Sequence, residues 1–536
     1  MLPALDLVPP TTRVNGPQAW ALGPWLTGPS EMNHLGMDGK TAEMSGVEAP
    51  WTITGNLDAQ VRETHTGVVV LLGDKAYKAK KPIATDFLDF TTTKQREAAC
   101  AREVTLNSRL APSSYLGIAH FAGPGDGPAE PVVVMRRYAD STRLASLARN
   151  GRPVHDHLEE IADKLARFHA ETLRSAAIDS SGTAEAVSAR WRQNLVELQR
   201  YADTVIPREL LDEVGRLSAQ FIAGRGNLFA ERISSRRIVD GHADLLADDI
   251  FCTPGETAIL DCLEFDDKLR YVDSIDDAAF LAMDLEFLGR HDLGEFFLEA
   301  YCRSARDPAP EALKHVYIAY RALVRAKVDC VRFAQGHAEA STDARRHIDI
   351  ALHHLRAGTV QLIIIGGGPG TGKTTLSRGL AEQSGAEVIS TDEVRRELEQ
   401  TGVIAGAIGV LDSGLYTPEN VSIVYDEVLR RTRMLLGRGV SVILDGTWRD
   451  PVHRARARRL AGQTHSPIVE LTCTVPLDEA SARIENRPAT SSDATPEIAT
   501  AMAELTGASS DGHPIDTSRP LADSVAEARQ ICCLAI

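Results

Sequence analysis

Residues 362–375 read Leu-Ile-Ile-Ile-Gly-Gly-Gly-Pro-Gly-Thr-Gly-Lys-Thr-Thr, an apolar run followed by the pattern G-x-x-x-x-G-K-[ST]. Glycines let the backbone curl so that successive N–H groups point at one anion, and the N-terminus of the next helix adds positive potential. In such a loop the lysine bridges the terminal phosphates of a nucleotide and the following hydroxyl binds Mg²⁺. The pattern therefore predicts nucleotide binding by Gly367, Gly368, Pro369, Gly370, Thr371, Gly372, Lys373, Thr374 and Thr375.

The sequence around this loop alternates between apolar runs and amphipathic segments. Strands are predicted at 361–365, 385–390, 439–445 and 467–474, with helices at 373–384, 419–437 and 450–462. This alternation is typical of an α/β fold with a parallel sheet covered by helices on both faces. The change of pattern places a domain boundary near Ala357, so that residues 358–536 form the second domain.

Charged residues follow three of the predicted strands. In a parallel sheet the carboxyl ends of the strands line the ligand site. Asp392, after the second strand, is expected to face the γ-phosphate or to cap the next helix. Asp445 ends the third strand and is expected to hold Mg²⁺ through water. Arg483 and Arg487 lie one helical turn apart, so they either close over the phosphates or form a solvated pair.

Residues 358–536 resemble the small-molecule P-loop kinases of the gluconate-kinase, zeta-toxin and polynucleotide-kinase type. The resemblance rests on the phosphate loop, the segment 391–395, Asp445 and the arginine-bearing segment after the fourth strand. In that family the aspartate after the second strand positions or deprotonates the acceptor hydroxyl. The resemblance therefore implies that Asp392 and Lys373 are catalytic, with Thr374 and Asp445 at the metal.

The sequence before Ala357 has a different organisation. Residues 1–47 are rich in proline and glycine and poor in charge, which predicts a disordered extension. A hairpin is predicted from Val68–Leu72 and Ala76–Lys80, followed by a helix from Thr93 to Leu110 and a strand at Val132–Met135. Further helices are predicted at 154–175, 183–204, 207–224, 274–290 and 308–357. Residues 48–357 are therefore predicted to form an α+β domain.

A second group of polar residues lies in this first domain. His242-Ala243-Asp244 is followed by Asp249 and by Asp261 at the end of an apolar run. The arrangement resembles the catalytic segment of the aminoglycoside-phosphotransferase and choline-kinase-like family, which is itself similar to protein kinases. The resemblance implies that Asp244 accepts or orients the substrate hydroxyl proton and that Asp249 and Asp261 hold Mg²⁺. Two departures are Ala243 in place of glycine, harmless at an ordinary backbone angle, and Asp249 in place of asparagine.

The same resemblance assigns a phosphate-binding lysine to the hairpin. Lys78 stands at the family's position, and Glu103 in the next helix is expected to pair with it. Lys80 points to the same face by strand alternation and is an alternative. The usual glycine-rich loop is reduced to residues 63–67. Over residues 51–510, the chain resembles bacterial fusion proteins described as bifunctional aminoglycoside phosphotransferase-like/ATP-binding proteins.

Composition excludes several classes of protein. The 536 residues carry a net charge of −16, which opposes general binding to nucleic acid. No apolar run approaches the ~20 residues of a membrane span, and no signal peptide is visible. The eight cysteines show no metal-finger spacing, so reduced thiols in a cytoplasmic protein are expected.

Together these features predict two kinase sites that each use ATP and Mg²⁺, with a small hydroxylated metabolite, such as a sugar, aminosugar or aminocyclitol, as acceptor. An acidic cluster at Glu264, Asp266, Asp267, Asp273, Asp276 and Asp277 either receives a cationic acceptor or consists of helix caps and solvated acids. One alternative is a catalytically inactive pseudokinase domain that regulates the P-loop half. Another is a P-loop half that phosphorylates the 5′-hydroxyl of polynucleotides.

Overall fold

The computed structural model describes residues 59–63, 66–84, 89–122, 128–407, 413–486, 495–496, 498–500 and 512–536. The predicted disordered extension at residues 1–47 and the predicted lid residue Arg487 lie outside these ranges. The described chain contains a mostly antiparallel α+β part followed by a parallel α/β part, as the sequence predicts.

The first part opens with an antiparallel sheet in the order β1-β2-β3-β5-β4. Its strands are β1 (Gln60–Glu63), β2 (Gly67–Leu72), β3 (Lys75–Lys80), β4 (Tyr115–Phe121) and β5 (Glu130–Arg136). Helix α1 (Thr93–Asn107) packs against β4 and β5. The predicted hairpin is present, with Gly67 opposite Lys80 and a left-handed Gly73 in the turn. Alternation along β3 buries Lys78 and Lys80 on the face that α1 covers.

Helices then dominate up to residue 357. They are α2 (Leu144–Arg149), α3 (His155–Glu171), α4 (Ala176–Ser180), α5 (Ala184–Leu198), α6 (Arg208–Gly224), α7 (Gly226–Ser234), α8 (Asp267–Arg270), α9 (Ser274–Phe287), α10 (His291–Ala305), α11 (Glu311–Ala334) and α12 (Ala340–Ala357). The helix predicted over 308–357 is thus two helices, and Gly336 between them has a φ of 102°. Glycine reaches this angle without steric cost, so the chain reverses there.

Two short antiparallel pairs interrupt the helices. Strands β6 (Ile238–Asp240) and β9 (Tyr271–Asp273) form one pair, and β7 (Ile250–Thr253) and β8 (Glu256–Ile259) form the other. The segment that carries Asp244, Asp249 and Asp261 runs from the end of β6 to just beyond β8. The two pairs therefore bring these three aspartates to one region of the domain.

The second part is a parallel sheet in the order β11-β12-β10-β13-β14. Its strands are β10 (Leu362–Gly366), β11 (Glu387–Ser390), β12 (Val442–Asp445), β13 (Ile468–Thr474) and β14 (His513–Asp516). Its helices are α13 (Lys373–Ser384), α14 (Thr391–Gln400), α15 (Pro418–Gly437), α16 (Pro451–Gln463), α17 (Leu477–Glu485) and α18 (Leu521–Leu534). The four predicted strands and three predicted helices are all present, and β10 lies at the centre.

One hydrophobic core crosses the sequence position at which the pattern changes. It contains Leu323 and Leu355 on one side of Ala357 and Leu362 and Leu444 on the other, all nearly inaccessible to solvent. A second core, on the opposite face of the parallel sheet, joins α13 to α18. Among the helices that the structure describes, none is long and apolar enough to cross a membrane.

Candidate functional sites

The phosphate loop between β10 and α13 has the backbone geometry that its glycines allow. Gly367, Gly370 and Gly372 have φ angles of 141°, 74° and 82°, which side chains rarely permit. A Cβ atom on Gly370 would overlap the carbonyl oxygen of Ala480 in α17. The loop is therefore closed tightly against α17, and an alanine has no room at this position.

The loop lysine has a partner within the loop itself. Lys373 Nζ donates a hydrogen bond of 2.8 Å to the carbonyl oxygen of Gly368, and Thr371 Oγ1 donates to the same oxygen at 2.8 Å. Lys373 and Thr374 open α13, and Thr375 follows them, so the free N–H groups of this first turn point towards the loop. The arrangement concentrates positive potential where a phosphate group fits.

Thr374 and Asp445 come together at the end of the central strands. Thr374 Oγ1 donates to Asp445 Oδ2 at 2.7 Å, and Asp445 is only 3% exposed. Burial raises the pKa of Asp445, while the hydrogen bond from Thr374 opposes the rise. The second carboxylate oxygen, Oδ1, is buried without a hydrogen-bond partner. A hydroxyl beside a carboxylate with a spare oxygen is a donor set that suits Mg²⁺.

Asp392 lies in the first turn of α14 rather than at its cap. Ser390 is the N-cap residue, so the capping role considered for Asp392 is wrong. Instead Asp392 Oδ1 accepts a hydrogen bond of 2.6 Å from Arg395 Nη1, and the Arg395 guanidinium stacks over Tyr416 at 4.5 Å. The carboxylate is thus held in a fixed position near the carboxyl end of β11.

Arg483 reaches the phosphate loop from α17. Its Nη2 donates to Glu479 Oε1 at 2.6 Å and to the carbonyl oxygen of Thr517 at 2.8 Å. Thr517 Oγ1 in turn donates to the carbonyl oxygen of Thr371 at 2.7 Å. Thr517, which follows β14, is a loop-supporting residue that the sequence did not reveal because it belongs to no motif.

In the first domain, Glu103 lies between two lysines. Lys78 Nζ is 2.9 Å from Glu103 Oε1, and Lys80 Nζ is 2.5 Å from Glu103 Oε2. Lys78 also contacts Asp261 Oδ1 at 2.6 Å, whereas Lys80 contacts Glu264 Oε1 at 2.6 Å. Burial disfavours the Lys78 ammonium, but Asp261 and Glu103 outweigh it and raise the pKa of Lys78 well above its usual range. Lys78 therefore joins Glu103 to the predicted metal-binding aspartate.

The three aspartates of the predicted catalytic segment influence one another electrostatically. Burial, opposed by Arg325, raises the pKa of Asp244 to about 6. Burial and the charges of Asp261 and Asp244 raise the pKa of Asp249 well above its usual range. For Asp261, burial is outweighed by Lys78, which lowers its pKa. The charge of Asp261 raises the pKa of both other aspartates, and carboxylates that repel one another in this way suit a divalent cation.

Asp277 holds the backbone of this segment. It accepts hydrogen bonds of 2.7 Å from the N–H groups of His242 and Ala243 and is 2.9 Å from His169 Nε2. Ala243 has a φ of 69°, in the left-handed region, so the condition under which alanine would be harmless there, an ordinary backbone angle, is not met. Asp261 has a similar φ of 64°. The bend that presents Asp244 is thus imposed by a residue on α9.

The acidic cluster past Asp261 is used within the fold. Asp273 caps α9 and pairs with Arg232, Asp276 pairs with Arg321, and both aspartates are buried. Glu264 pairs with Lys80, and Asp266 caps α8. Asp267 pairs with Arg270. These contacts favour the capping interpretation over the acceptor interpretation, although Asp273, Asp276 and Asp277 are buried instead of solvated.

Known proteins are similar to this chain over different lengths: a family model matches part of the second half, and two relatives match most of the chain. The AAA domain family (AAA_33) matches residues 362–506. An uncharacterized protein of Mycobacterium tuberculosis (strain H37Rv) and one of Mycobacterium bovis are each 58% identical to this chain over 471 residues, which is 88% of this chain and 95% of each relative.

Solved structures align with parts of the chain. A choline/ethanolamine kinase family protein from Mesorhizobium loti covers 56% of this chain and 93% of its own, with 16% identity and a TM-score of 0.36. A sugar kinase from Janibacter sp. HTCC2649 covers 33% of this chain and 96% of its own, with 19% identity and a TM-score of 0.26.

Proposed function

The chain belongs to the same family as these mycobacterial proteins, and we propose that it is a phosphotransferase with two sites, each of which transfers the γ-phosphoryl group of ATP to a small hydroxylated metabolite. The observation that carries the proposal is the position of Lys78, within hydrogen-bonding distance of both Glu103 and Asp261. This position of Lys78 beside Asp261 is one group of a lysine with a candidate metal-binding carboxylate. The phosphate loop of the second domain, with Lys373 and Asp445, is the other.

In the first domain, Lys78 contacts the phosphates of ATP while Glu103 fixes its position. Asp249 and Asp261 hold Mg²⁺, which supplies neutralisation of the phosphate charge when bound. Asp244 accepts the proton of the acceptor hydroxyl as that oxygen bonds to the γ-phosphorus. The bond between the γ-phosphorus and the bridging oxygen breaks, and ADP leaves with that electron pair.

In the second domain, the backbone N–H groups at the start of α13 and the ammonium of Lys373 bind the phosphates. Thr374 and Asp445 hold Mg²⁺, for which the unpartnered Oδ1 of Asp445 is available. Asp392 orients the acceptor hydroxyl and takes its proton, and Arg395 keeps the carboxylate in place. Arg483, which already reaches the loop, balances phosphate charge.

The net charge of the chain favours a small acceptor over a nucleic acid. A net charge of −16 repels polynucleotides, so the proposal favours small acceptors such as sugars, aminosugars or aminocyclitols.

The cysteines are all free thiols, and most of them are buried. Because reduced cysteines and ATP are both features of the cytoplasm, we propose that the protein is located there.

The test is Mg²⁺-dependent transfer of labelled γ-phosphate from ATP to a panel of sugars, aminosugars, aminocyclitols and 5′-hydroxyl oligonucleotides. Wild type is compared with Asp244→Asn and Lys373→Ala. We expect each substitution to abolish labelling of a different acceptor, or of a different position on one acceptor. Control substitutions of exposed residues, Asp212→Asn and Lys94→Ala, are expected to leave both activities unchanged.

Two results would contradict parts of the proposal. If only Lys373→Ala reduces transfer, and Asp244→Asn changes the kinetics of the P-loop site without loss of an activity, the first domain is a regulatory pseudokinase. If oligonucleotides are labelled in preference to small molecules, the second domain is a polynucleotide kinase and the proposed acceptor class is wrong.

A further inference from the structure

A group of histidines and one glutamate, none of them assigned to either proposed site, lies among helices α9 to α12. Glu286 Oε2 is 2.7 Å from His354 Nε2 and 3.1 Å from His291 Nδ1. One potential ligand atom from each of these three residues lies within 4.8 Å of the other two. His354 and Glu286 are mostly buried, with side chains 1% and 16% exposed, while the His291 side chain is 47% exposed. The group is therefore anchored inside the protein and accessible from solvent on one side.

Each of the two histidines is oriented through its other ring nitrogen. His354 Nδ1 is 2.7 Å from His315 Nδ1, and His291 Nε2 is 3.1 Å from Glu295 Oε1. Histidines that bind metals usually donate their second N–H to such an outer partner, which fixes the tautomer and the ring. Both histidines of the group, His291 and His354, have such an outer partner.

The contact between His354 and His315 indicates which ring nitrogen of His354 a cation would bind. Two ring nitrogens at 2.7 Å need one donor and one acceptor. Nδ1 of His354 is used in this contact, so its Nε2, which faces Glu286, is the atom that a cation would displace from the carboxylate contact and bind.

The distances fit a tetrahedral ion after small side-chain shifts. Zn²⁺ with bonds of about 2.0 Å places its ligand atoms about 3.3 Å apart. The measured separations of 2.7 Å and 3.1 Å from the Glu286 oxygen are close to this value. A glutamate carboxylate is ordinarily ionised at neutral pH and binds cations through its oxygens.

We propose that Glu286, His291 and His354 bind one Zn²⁺ ion, with water in the remaining position. Imidazole and carboxylate ligands in a tetrahedral arrangement favour zinc over magnesium or calcium. Glu286 is on α9, His291 begins α10, and His354 is near the end of α12, directly before β10. The ion therefore links three helices of the first domain, of which α12 is the last helix before β10, and its role is structural.

The experiment uses the full-length protein after treatment with a chelator, without nucleotide or Mg²⁺. Co²⁺ is titrated first, because a tetrahedral site gives it a strong visible absorption band, and Zn²⁺ is then added to displace it. His291→Ala and Glu286→Gln remove ligands, and neither replaces the most buried member of the group. His337→Ala, at an exposed histidine between α11 and α12, is the matched control.

We expect wild type and His337→Ala to show the tetrahedral Co²⁺ band at one equivalent and to lose it to Zn²⁺. In His291→Ala and Glu286→Gln, the affinity for Zn²⁺ should fall at least about tenfold. Zn²⁺ should also raise the thermal midpoint of wild type but not of these variants, because the ion binds only the folded chain. Absence of the band in wild type, or equal affinity in His291→Ala and wild type, would overturn the proposal.

Discussion

Arg225 Nη1 donates a hydrogen bond of 2.8 Å to the carbonyl oxygen of Thr464, and its Nη2 donates one of 3.1 Å to Ser466 Oγ. Arg225 follows α6 in the first half of the chain, whereas Thr464 and Ser466 lie between α16 and β13 in the second. The guanidinium is only 1% exposed, and burial lowers its pKa to about 10. Such a contact requires close packing, because a buried charge is stable only with well-placed acceptors.

A substitution at the neighbouring residue, Gly224, can test how closely the two segments pack. A Cβ atom at Gly224 would overlap the carbonyl oxygen of Thr464, whereas one at Gly226 would meet nothing within 4 Å. We therefore expect Gly224→Ala to lower the free energy of unfolding by about 1–3 kcal/mol, the usual cost of overpacking. Chemical unfolding of the full chain measures the change, with Gly226→Ala as the matched control. Equal unfolding midpoints for the two variants would show that the contact is not tight.

The two buried lysines on β3, Lys78 and Lys80, are expected to differ in function. Lys78→Met removes the contact with Asp261, so kcat/KM at the first-domain site should fall by about 10²–10³, as when a group that stabilises the transition state is lost. Lys80→Met removes contacts with Glu103 and Glu264, and we expect mainly a loss of stability, because Lys80 is buried between two carboxylates. Transfer assays in a Lys373→Ala background measure the first site alone.

Thermal unfolding of the same variants completes this comparison. Lys80→Arg serves as a control that keeps the positive charge at that position. If Lys80→Met reduces transfer more than Lys78→Met, then Lys80 is the phosphate-binding lysine and the assignment of Lys78 is wrong.

The activity of the first-domain site should depend on pH through Asp244. Burial, opposed by Arg325, raises the pKa of this carboxyl to about 6, and a proton acceptor must be ionised to act. We expect kcat/KM to be constant above about pH 7 and to fall about tenfold per pH unit below about pH 6. The measurement is a pH profile of the Lys373→Ala protein; constant kcat/KM down to about pH 5 would contradict the role of Asp244.

The contribution of Asp244 to the free energy of unfolding should fall as the pH rises, whereas its contribution to kcat/KM should increase. A carboxyl whose pKa is raised by folding contributes stability that is fully present below its unfolded pKa of about 3.9. That contribution is lost as the pH rises through about 6, the value in the folded chain. Asp244→Asn has no such titration. Its stability relative to wild type should therefore increase from about pH 4 to about pH 7.

The left-handed conformation of Ala243 gives a prediction about stability. A residue with a side chain in this region destabilises the folded protein by about 1–2 kcal/mol, and glycine avoids this strain. Glycine also makes the unfolded chain more flexible, which lowers the free energy of unfolding by about 0.4–1 kcal/mol. We therefore expect Ala243→Gly to raise the free energy of unfolding by about 0.5–1 kcal/mol. Ala145→Gly, in the buried helix α2, should instead lower it by about 1 kcal/mol or more. A decrease for Ala243→Gly would show that the left-handed angle does not control the stability of the bend.

Local patterns in the sequence predicted much of the fold. The helix predicted at 373–384 coincides with α13, because the glycines and Lys373 fix where the loop ends and the helix begins. The hairpin of β2 and β3 was also predicted, since alternation and the turn at Gly73 are encoded locally. By contrast, β14 was missed: it is a short, mostly exposed edge strand whose pairing with β13 depends on tertiary structure.

The site residues show the same limit. Lys78 and Glu103 were predicted as a pair, and the structure places them together, but it adds Lys80 to the same carboxylate. The sequence did not indicate that Asp277 fixes the backbone at Ala243, because the two residues approach only through the packing of α9. Long-range contacts of this kind leave no spacing pattern that a single sequence reveals.

The C-terminal segment has a consequence for how the protein is made. Thr517 supports the phosphate loop through Thr371, and the carbonyl oxygen of Cys532 accepts a hydrogen bond of 2.8 Å from Gln361, next to β10. Because synthesis proceeds from the N-terminus, the phosphate loop is made before these residues are. The phosphate loop can therefore take its final supported form only after Thr517 and Cys532 have been synthesised and have left the ribosome. A ribosome stalled shortly before Thr517 would display a chain whose nucleotide-binding motif is complete in sequence but lacks this support.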